Sequence, residues 1–442
     1  MARGEKLLVS RFWKFATTTV SLAVFAIAST LPLPAQTFTT LHSFTGGADG
    51  AMPHAGLSMD RAGNLYGTTA FGGAVGSCFD GLGCGTVYKL SHVGSGWILR
   101  TLYTFRGGTD GALPGARVII GPDGNLYGTT AGGGGGNCAG SVYSGCGTVF
   151  KLTLPPNVCS AASCPWTETV LYRFQGGSDG AAPLYGNLLF DHAGNIYGTA
   201  STGGFIGSGC IFSTGCGVVF EIMPGSGGWT EAVLHTFTGG TDGVQPFGGL
   251  ILDAQGNLYG TTARGGGSLN YGTVYELTRS GSGWTETILH SLNSFSGGDG
   301  SAFPYGGLIF DAAGNLYGTS DEVYGTVFEL TPGSGGWTFN TLYELPGNGV
   351  EISGCYDGVI MDAAGDLYGT THTGGPSDFG TVFELLPING GGWRYQALHN
   401  FTDRDDGAGP FGGVIQDSNG NLFGAAADDG AGGSGVVFEI TP

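Results

Sequence analysis

The stretch Asp253-Ala254-Gln255-Gly256-Asn257-Leu258-Tyr259-Gly260-Thr261-Thr262 decides the fold. Asp can bond back to its own backbone, and Gly and Asn tolerate positive φ, so the first half reads as a tight turn. A short apolar run, Gly249-Leu250-Ile251-Leu252, precedes it, and Leu258 to Thr262 leaves it. That is a hairpin. A Gly-rich loop follows, then Tyr271-Gly272-Thr273-Val274-Tyr275-Glu276-Leu277, whose alternation predicts a third strand with one face inward. A Gly-Ser turn leads to a fourth strand, Trp284-Thr285-Glu286-Thr287-Ile288-Leu289-His290. Four antiparallel strands in one repeat make a propeller blade.

The same unit recurs along the chain. Its marker appears as Leu65-Tyr66-Gly67, Leu126-Tyr127-Gly128, Ile196-Tyr197-Gly198, Leu258-Tyr259-Gly260, Leu316-Tyr317-Gly318, Leu367-Tyr368-Gly369 and Leu422-Phe423-Gly424. The aromatic-to-aromatic steps are 61, 70, 62, 58, 51 and 55 residues, a repeat architecture. The first strand after the leader, residues 37–44, is of the fourth type, and the last, residues 436–440, is of the third type. Every strand type then occurs seven times. The expected fold is all-β: a seven-bladed β-propeller with four-stranded antiparallel blades, closed by an N-terminal strand that completes the last blade. Closure removes the exposed sheet edges that a solenoid would have to cap.

Composition agrees. Gly supplies 91 of 442 residues without a Gly-X-Y period, which excludes collagen, and 41% hydrophobic residues suffice for a core. No amphipathic helix is expected beyond residue 35. Residues 1–35 read as a signal peptide: Arg3, Lys6, Arg11 and Lys14, then an uncharged apolar run, then Leu33-Pro34-Ala35 with cleavage near Ala35. Residues 36–442 form the single propeller domain. Without the leader the chain keeps 11 basic and 33 acidic residues, a net charge of −22. Nucleic acid and anionic lipid are poor partners for such a surface, and no later run is long enough to span a membrane.

Eight of nine cysteines fall in close pairs, Cys78/Cys84, Cys138/Cys146, Cys159/Cys164 and Cys210/Cys216, with Cys355 left over. No His or further Cys accompanies each pair as a zinc site would require, so local disulfides in an oxidising compartment are expected.

Asp311-Ala312-Ala313-Gly314-Asn315-Leu316-Tyr317-Gly318-Thr319, followed by Gly325-Thr326-Val327-Phe328-Glu329-Leu330-Thr331-Pro332 and a Gly-Trp-Thr strand, resembles the GloVer (Gloeo/Verruco-type) tandem repeat. This is a family of "choice-of-anchor" secreted bacterial repeat proteins with varied C-terminal sorting tails. The resemblance covers residues 37–442. It implies a surface or secreted location and no particular reaction. The chain stops at Thr441-Pro442 without the apolar tail of the anchored pattern, so a secreted or periplasmic/cell-surface protein is expected, with release or periplasmic residence gaining weight over anchoring.

Residues repeated in every blade build the blade. His42, His235, His290 and His399 share one fourth-strand slot with Tyr103, Tyr172 and Tyr343, an amphipathic position with a polar tip. His54, His92, His192 and His372 stand in loops without metal-ligand spacing. Trp97, Trp166, Trp229, Trp284, Trp337 and Trp393 open fourth strands and are expected to pack between blades. Glu221, Glu276, Glu329, Glu384 and Glu439 are expected on a solvated face. The Gly-Gly-X-Asp-Gly connections place Asp49, Asp110, Asp179, Asp242, Asp299 and Asp406 around one face, shared with cysteine loops. That acidic rim is the candidate binding site, for a glycan, a cation or a basic protein. No catalytic residue, metal site or cofactor is expected, beyond weak gathering of divalent cations. Blade six, where 348–356 replaces the usual connection, is the most irregular. The expected protein is a monomeric, non-catalytic binding or scaffold propeller. The alternative is a carbohydrate-active propeller enzyme, hydrolase or lyase, which would require a unique carboxylate pair at the channel mouth.

Overall fold

The computed structural model describes residues 36–442 apart from 74–77, 137, 139–144, 156–165, 211–213, 269, 282, 294–300, 322–324, 347–353 and 355. The leader, Cys159, Cys164, Cys355 and Asp299 lie outside the described residues. The described strands form seven four-stranded antiparallel sheets, numbered here as blades one to seven in chain order. Blade four shows the pattern: Ile251–Leu252, Leu258–Thr262, Thr273–Ser280 and Gly283–Ser291, each paired with the next. Blade seven is composite. Thr37–Ser43 pairs with Val436–Thr441, from Thr37 opposite Thr441 to Ser43 opposite Val436, as the strand count requires. Among the described residues no helix is long and apolar enough to cross a membrane.

The first strands are shorter than the apolar runs suggest. Only Ile251–Leu252 joins the ladder in blade four, and Gly248 and Gly249 before it lie against the backbone of neighbouring blades, at Gly306 and Asn187. The marker glycine has a steric cause: a Cβ on Gly260 would lie 2.5 Å from the Tyr275 hydroxyl oxygen. Rings at this third-strand position, Tyr88, Phe150, Phe220, Tyr275, Phe328, Phe383 and Phe438, are fully buried. The tryptophans pack between blades, as expected: Trp166 on Tyr66 at 6.5 Å, Trp284 on Tyr197 at 6.5 Å and Trp337 on Tyr259 at 6.3 Å.

Four of the five third-strand glutamates are not on an open solvated face, and the fifth, Glu439, stands opposite Phe423. The marker tyrosine donates its hydroxyl to those four: Tyr197 to Glu221 at 2.8 Å, and Tyr259 to Glu276, Tyr317 to Glu329 and Tyr368 to Glu384 at 2.9 Å each. The same hydroxyls reach the hairpin aspartates, as Tyr259 does Asp253 at 3.2 Å. The tyrosine therefore ties its own turn to the third strand.

Candidate functional site

Two kinds of loop share one face, and they bond directly. Gly73 N–H donates to Gly47 O at 2.8 Å, with the same bond from Gly134 to Gly108 and from Gly204 to Gly177. One partner in each is the Gly-Gly-X-Asp-Gly connection, the other the loop between second and third strands. Disulfides Cys78–Cys84, Cys138–Cys146 and Cys210–Cys216 brace the second kind. A Cβ on Gly107 would stand 2.1 Å from Cys78 Sγ, so the connection lies flat against the disulfide.

Rim aspartates cap their own connections. Asp49 accepts from Thr45 N–H at 2.9 Å and Thr45 Oγ1 at 2.6 Å; Asp179 accepts from Gln175 N–H at 2.8 Å. Asp110, Asp242 and Asp406 accept the equivalent N–H from Arg106, Thr238 and Thr402. The residue seven positions earlier, in the His/Tyr slot, joins in: Tyr103 to Asp110 at 2.9 Å, Tyr172 to Asp179 at 3.0 Å, His42 to Asp49 at 3.2 Å and His399 to Asp406 at 3.0 Å. A β-bulge at the preceding Leu aims this slot at the loop. In blade three, Val219 faces His235 and Phe220 faces Val233, so Leu234 is the extra residue.

Inside the rim the connections turn down the axis. Met52, Leu113, Ala182, Gln245 and Phe303, each just before a proline, hold φ between 51° and 59° although none is glycine. Each is pinned by its N–H to the blade before, as Leu113 is to Cys84 O and Gln245 to Cys216 O at 2.9–3.0 Å. Such strain persists only where surroundings enforce it. The residues that follow in these connections form an aromatic collar. Tyr185, Phe247, Tyr305, Tyr356, Phe411 and His54 follow one another at centroid spacings of 5.8, 5.5, 5.2, 5.0 and 4.7 Å. Blade two contributes Gly115. At the level below, Arg117, Asn187 and Asp357 break the small-residue pattern: Arg117 N–H donates to Asn187 Oδ1 at 3.1 Å, and Asp357 accepts from Gly413 N–H at 2.9 Å.

Above the collar a cleft of about 580 Å³ opens between blades six, seven and one. Met52, Phe71, Leu82 and Phe379 give it apolar walls, and His372, Asp378, Asp428 and Asp429 line it too. These polar residues depart from the repeat. Where blade seven has Ala427-Asp428-Asp429-Gly430 and blade six His372-Thr373-Gly374-Gly375, blade one has Ala70-Phe71-Gly72-Gly73. A Cβ on Gly409 would be 3.0 Å from Asp428 Oδ2 and 3.3 Å from His372 Nε2, so the two groups flank one bare backbone position. Burial lowers His372 to about 4 and keeps it neutral. Burial, with Asp403 nearby, raises Asp428. A hydrogen bond with Asp403 raises Asp429 to about 6. Aligning the loops after each second strand would have exposed these substitutions, whereas their convergence in one cleft needed the ring. In the sequence His372 reads only as an isolated loop residue.

The Gloeobacter/Verrucomicrobia repeat matches residues 23–213, 143–319 and 289–442. No curated protein matches the chain. Solved structures share the fold at low identity. PorZ, a surface component of the type-IX secretion system of Porphyromonas gingivalis, is 15% identical with TM-score 0.49, over 90% of this chain and 47% of PorZ. A candidate 6-phosphogluconolactonase of Bacteroides fragilis is 15% identical with TM-score 0.48, over 83% of this chain and 97% of that one. A Trichoderma reesei carbohydrate-active enzyme of family AA12 is 12% identical with TM-score 0.43, over 92% and 96%.

Proposed function

Since the chain belongs to the Gloeobacter/Verrucomicrobia repeat family, and its repeat chemistry builds blades, we propose that function resides where the repeat is broken. The protein is an exported, monomeric, non-catalytic binding propeller, and the cleft between blades six, seven and one takes a neutral or amino-substituted glycan. One observation carries this reading: Asp428, Asp429, Asp378 and His372 share a cleft with Phe71, Phe379 and Met52. Apolar walls with a few convergent acceptors suit a sugar, whose faces are apolar and whose hydroxyls donate. The net negative surface disfavours uronates and sulfated chains. The rim aspartates lend charge to this face while their oxygens cap turns. Export is supported by the basic-then-apolar leader and the disulfides.

The test is a glycan array on the mature protein, with neutral, amino-sugar and acidic chains. Binding to a neutral or amino-sugar chain, lost in Asp428→Asn and in Phe379→Ala, supports the cleft. Binding unaffected by both substitutions, or none at all, refutes it. Substituting Asp110, Asp179 and Asp406 with Asn should flatten the salt dependence for an amino sugar and leave a neutral glycan alone. A hydrolytic reading draws on Asp429, whose carboxyl is still half protonated at about pH 6 beside other carboxylates. Release of reducing ends from the bound glycan, abolished by Asp429→Asn, would establish it.

A further inference from the structure

One blade interface differs from the other six in its ionisable side chains. The fourth-strand residue opposite the third-strand Leu or Ile is Leu99, Glu168, Glu231, Glu286, Phe339, Tyr395 and Phe38 in blades one to seven. In blades two to seven this residue faces the His/Tyr slot of the blade before. Phe339 stacks on His290 at 4.2 Å, Tyr395 on Tyr343 at 5.6 Å and Phe38 on His399 at 3.8 Å. Glu168 and Glu231 meet tyrosine slots, Tyr103 and Tyr172. Only between blades three and four does a glutamate meet a histidine.

There His235 does not make the slot's usual bond to its aspartate. Its Nε2 lies 4.0 Å from Asp242 Oδ2 and 3.6 Å from Glu286 Oε2. One ligand atom from each residue lies within 4.8 Å of the others. His235 Nε2 and Glu286 Oε1 are buried and without a hydrogen-bond partner. Glu168 Oε1 and Glu231 Oε1 are orphaned in the same way, so what sets this interface apart is an unpaired ring nitrogen, His235 Nε2, beside the glutamate, and unpaired buried polar atoms are costly. Glu286 is 11% exposed at its side chain and His235 18%, so both are largely withdrawn from solvent without being sealed from it. The surroundings hold the ligands in place. Thr238 N–H and Gly240 N–H donate to Asp242 at 2.7 and 3.1 Å, and Phe237 packs edge-on to His235 at 4.6 Å.

We propose that His235, Asp242 and Glu286 bind one divalent transition-metal ion, zinc in the first instance, which cross-links blades three and four. One imidazole and two carboxylates are a borderline donor set that suits zinc over calcium or magnesium. Zinc ligands sit ~2.0–2.2 Å from the metal, so tetrahedral partners stand roughly 3.3–3.6 Å apart. The observed spacings, 3.6 and 4.0 Å for His235 and at most 4.8 Å overall, have to contract on binding. Water completes the fourth position. Sequence spacing could not reveal this site, because Glu286 belongs to a different blade from His235.

The experiment is zinc binding to the untagged protein, stripped with chelator and dialysed against Zn²⁺, with metal content and melting temperature as readouts. His235→Tyr recreates the Tyr-Asp-Glu arrangement of the interface before it, so it should fold. Expected are one zinc per wild-type chain with a raised melting temperature, and none in His235→Tyr. Glu286→Gln should weaken binding by more than the roughly 10–100-fold that loss of an outer-shell partner costs. His399→Tyr, the same change at an interface without glutamate, should keep the single zinc. A wild type that takes up no zinc, or His235→Tyr that keeps it, overturns the proposal. So does loss of zinc in His399→Tyr.

Discussion

Phe38 stacks face to face on His399 with ring centroids 3.8 Å apart, so the first described strand touches blade six as well as completing blade seven. The same ring lies 5.5 Å from Phe438 on its own sheet. Ring closure therefore rests on side-chain packing across an interface in addition to the ladder from Thr37 to Ser43.

Deleting residues 36–44 should cost far more stability than trimming a free terminus, because it bares the 436–441 edge and uncovers His399. Phe38→Ala alone should cost roughly 2 kcal/mol, less than a fully buried ring, since Phe38 is only partly covered. Denaturant melts read both. A deletion that leaves the midpoint unchanged would show that the ring does not depend on this strand.

Tyr88 and Tyr275 stand where the other blades have phenylalanine, and their hydroxyls are buried without a partner. Tyr88→Phe and Tyr275→Phe should each stabilise by about 1 kcal/mol, since an orphaned hydroxyl is removed and the ring kept. Gly260→Ala should destabilise by on the order of 1–3 kcal/mol through overpacking, and Tyr275→Phe should recover part of it. Destabilisation by either tyrosine change would mean that the hydroxyls have partners after all.

Glu168 and Glu231 are raised to about 7, first by burial and then by Asp110 and Asp179 respectively. Above the ordinary value of 4.5 an unfolded chain has released these protons, while the folded chain holds them until about pH 7. Their contribution is complete below the unfolded value and is lost as pH rises through the folded one. Replacing both with Gln should therefore flatten the fall in melting temperature between about pH 5 and about pH 8. Comparison with wild type cancels the other titrations. Identical pH slopes would refute the assignment.

Non-reduced mature protein should show one alkylatable thiol by mass spectrometry, at Cys355, with the remaining eight cysteines in four short rings. Reduction should lower the melting temperature, each ring contributing roughly 2 kcal/mol on the chain-entropy model. Three or more free thiols in protein made in an oxidising compartment would contradict this.

The architecture was legible in the chain because each of its signals is local. Turn chemistry at Asp253-Ala254-Gln255-Gly256-Asn257, alternation at 271–277 and a fixed recurrence of the marker specify a blade and its number of copies. The offset between residues 37–44 and 436–440 specifies how the ring shuts. The tryptophan packing followed from the same logic. Side-chain partners did not, because they are set by blade adjacency and by one-residue bulges. The third-strand glutamates read as solvent-facing until the hairpin folded a tyrosine hydroxyl onto four of them. The His/Tyr slot read as a polar tip until a bulge at Leu234 and its counterparts turned it to the next loop's aspartate. His372 and Asp428 come from different blades, and so do His235 and Glu286. Sequence periodicity fixes what lies within a blade, but only closing the ring decides which breaks in the repeat meet across it.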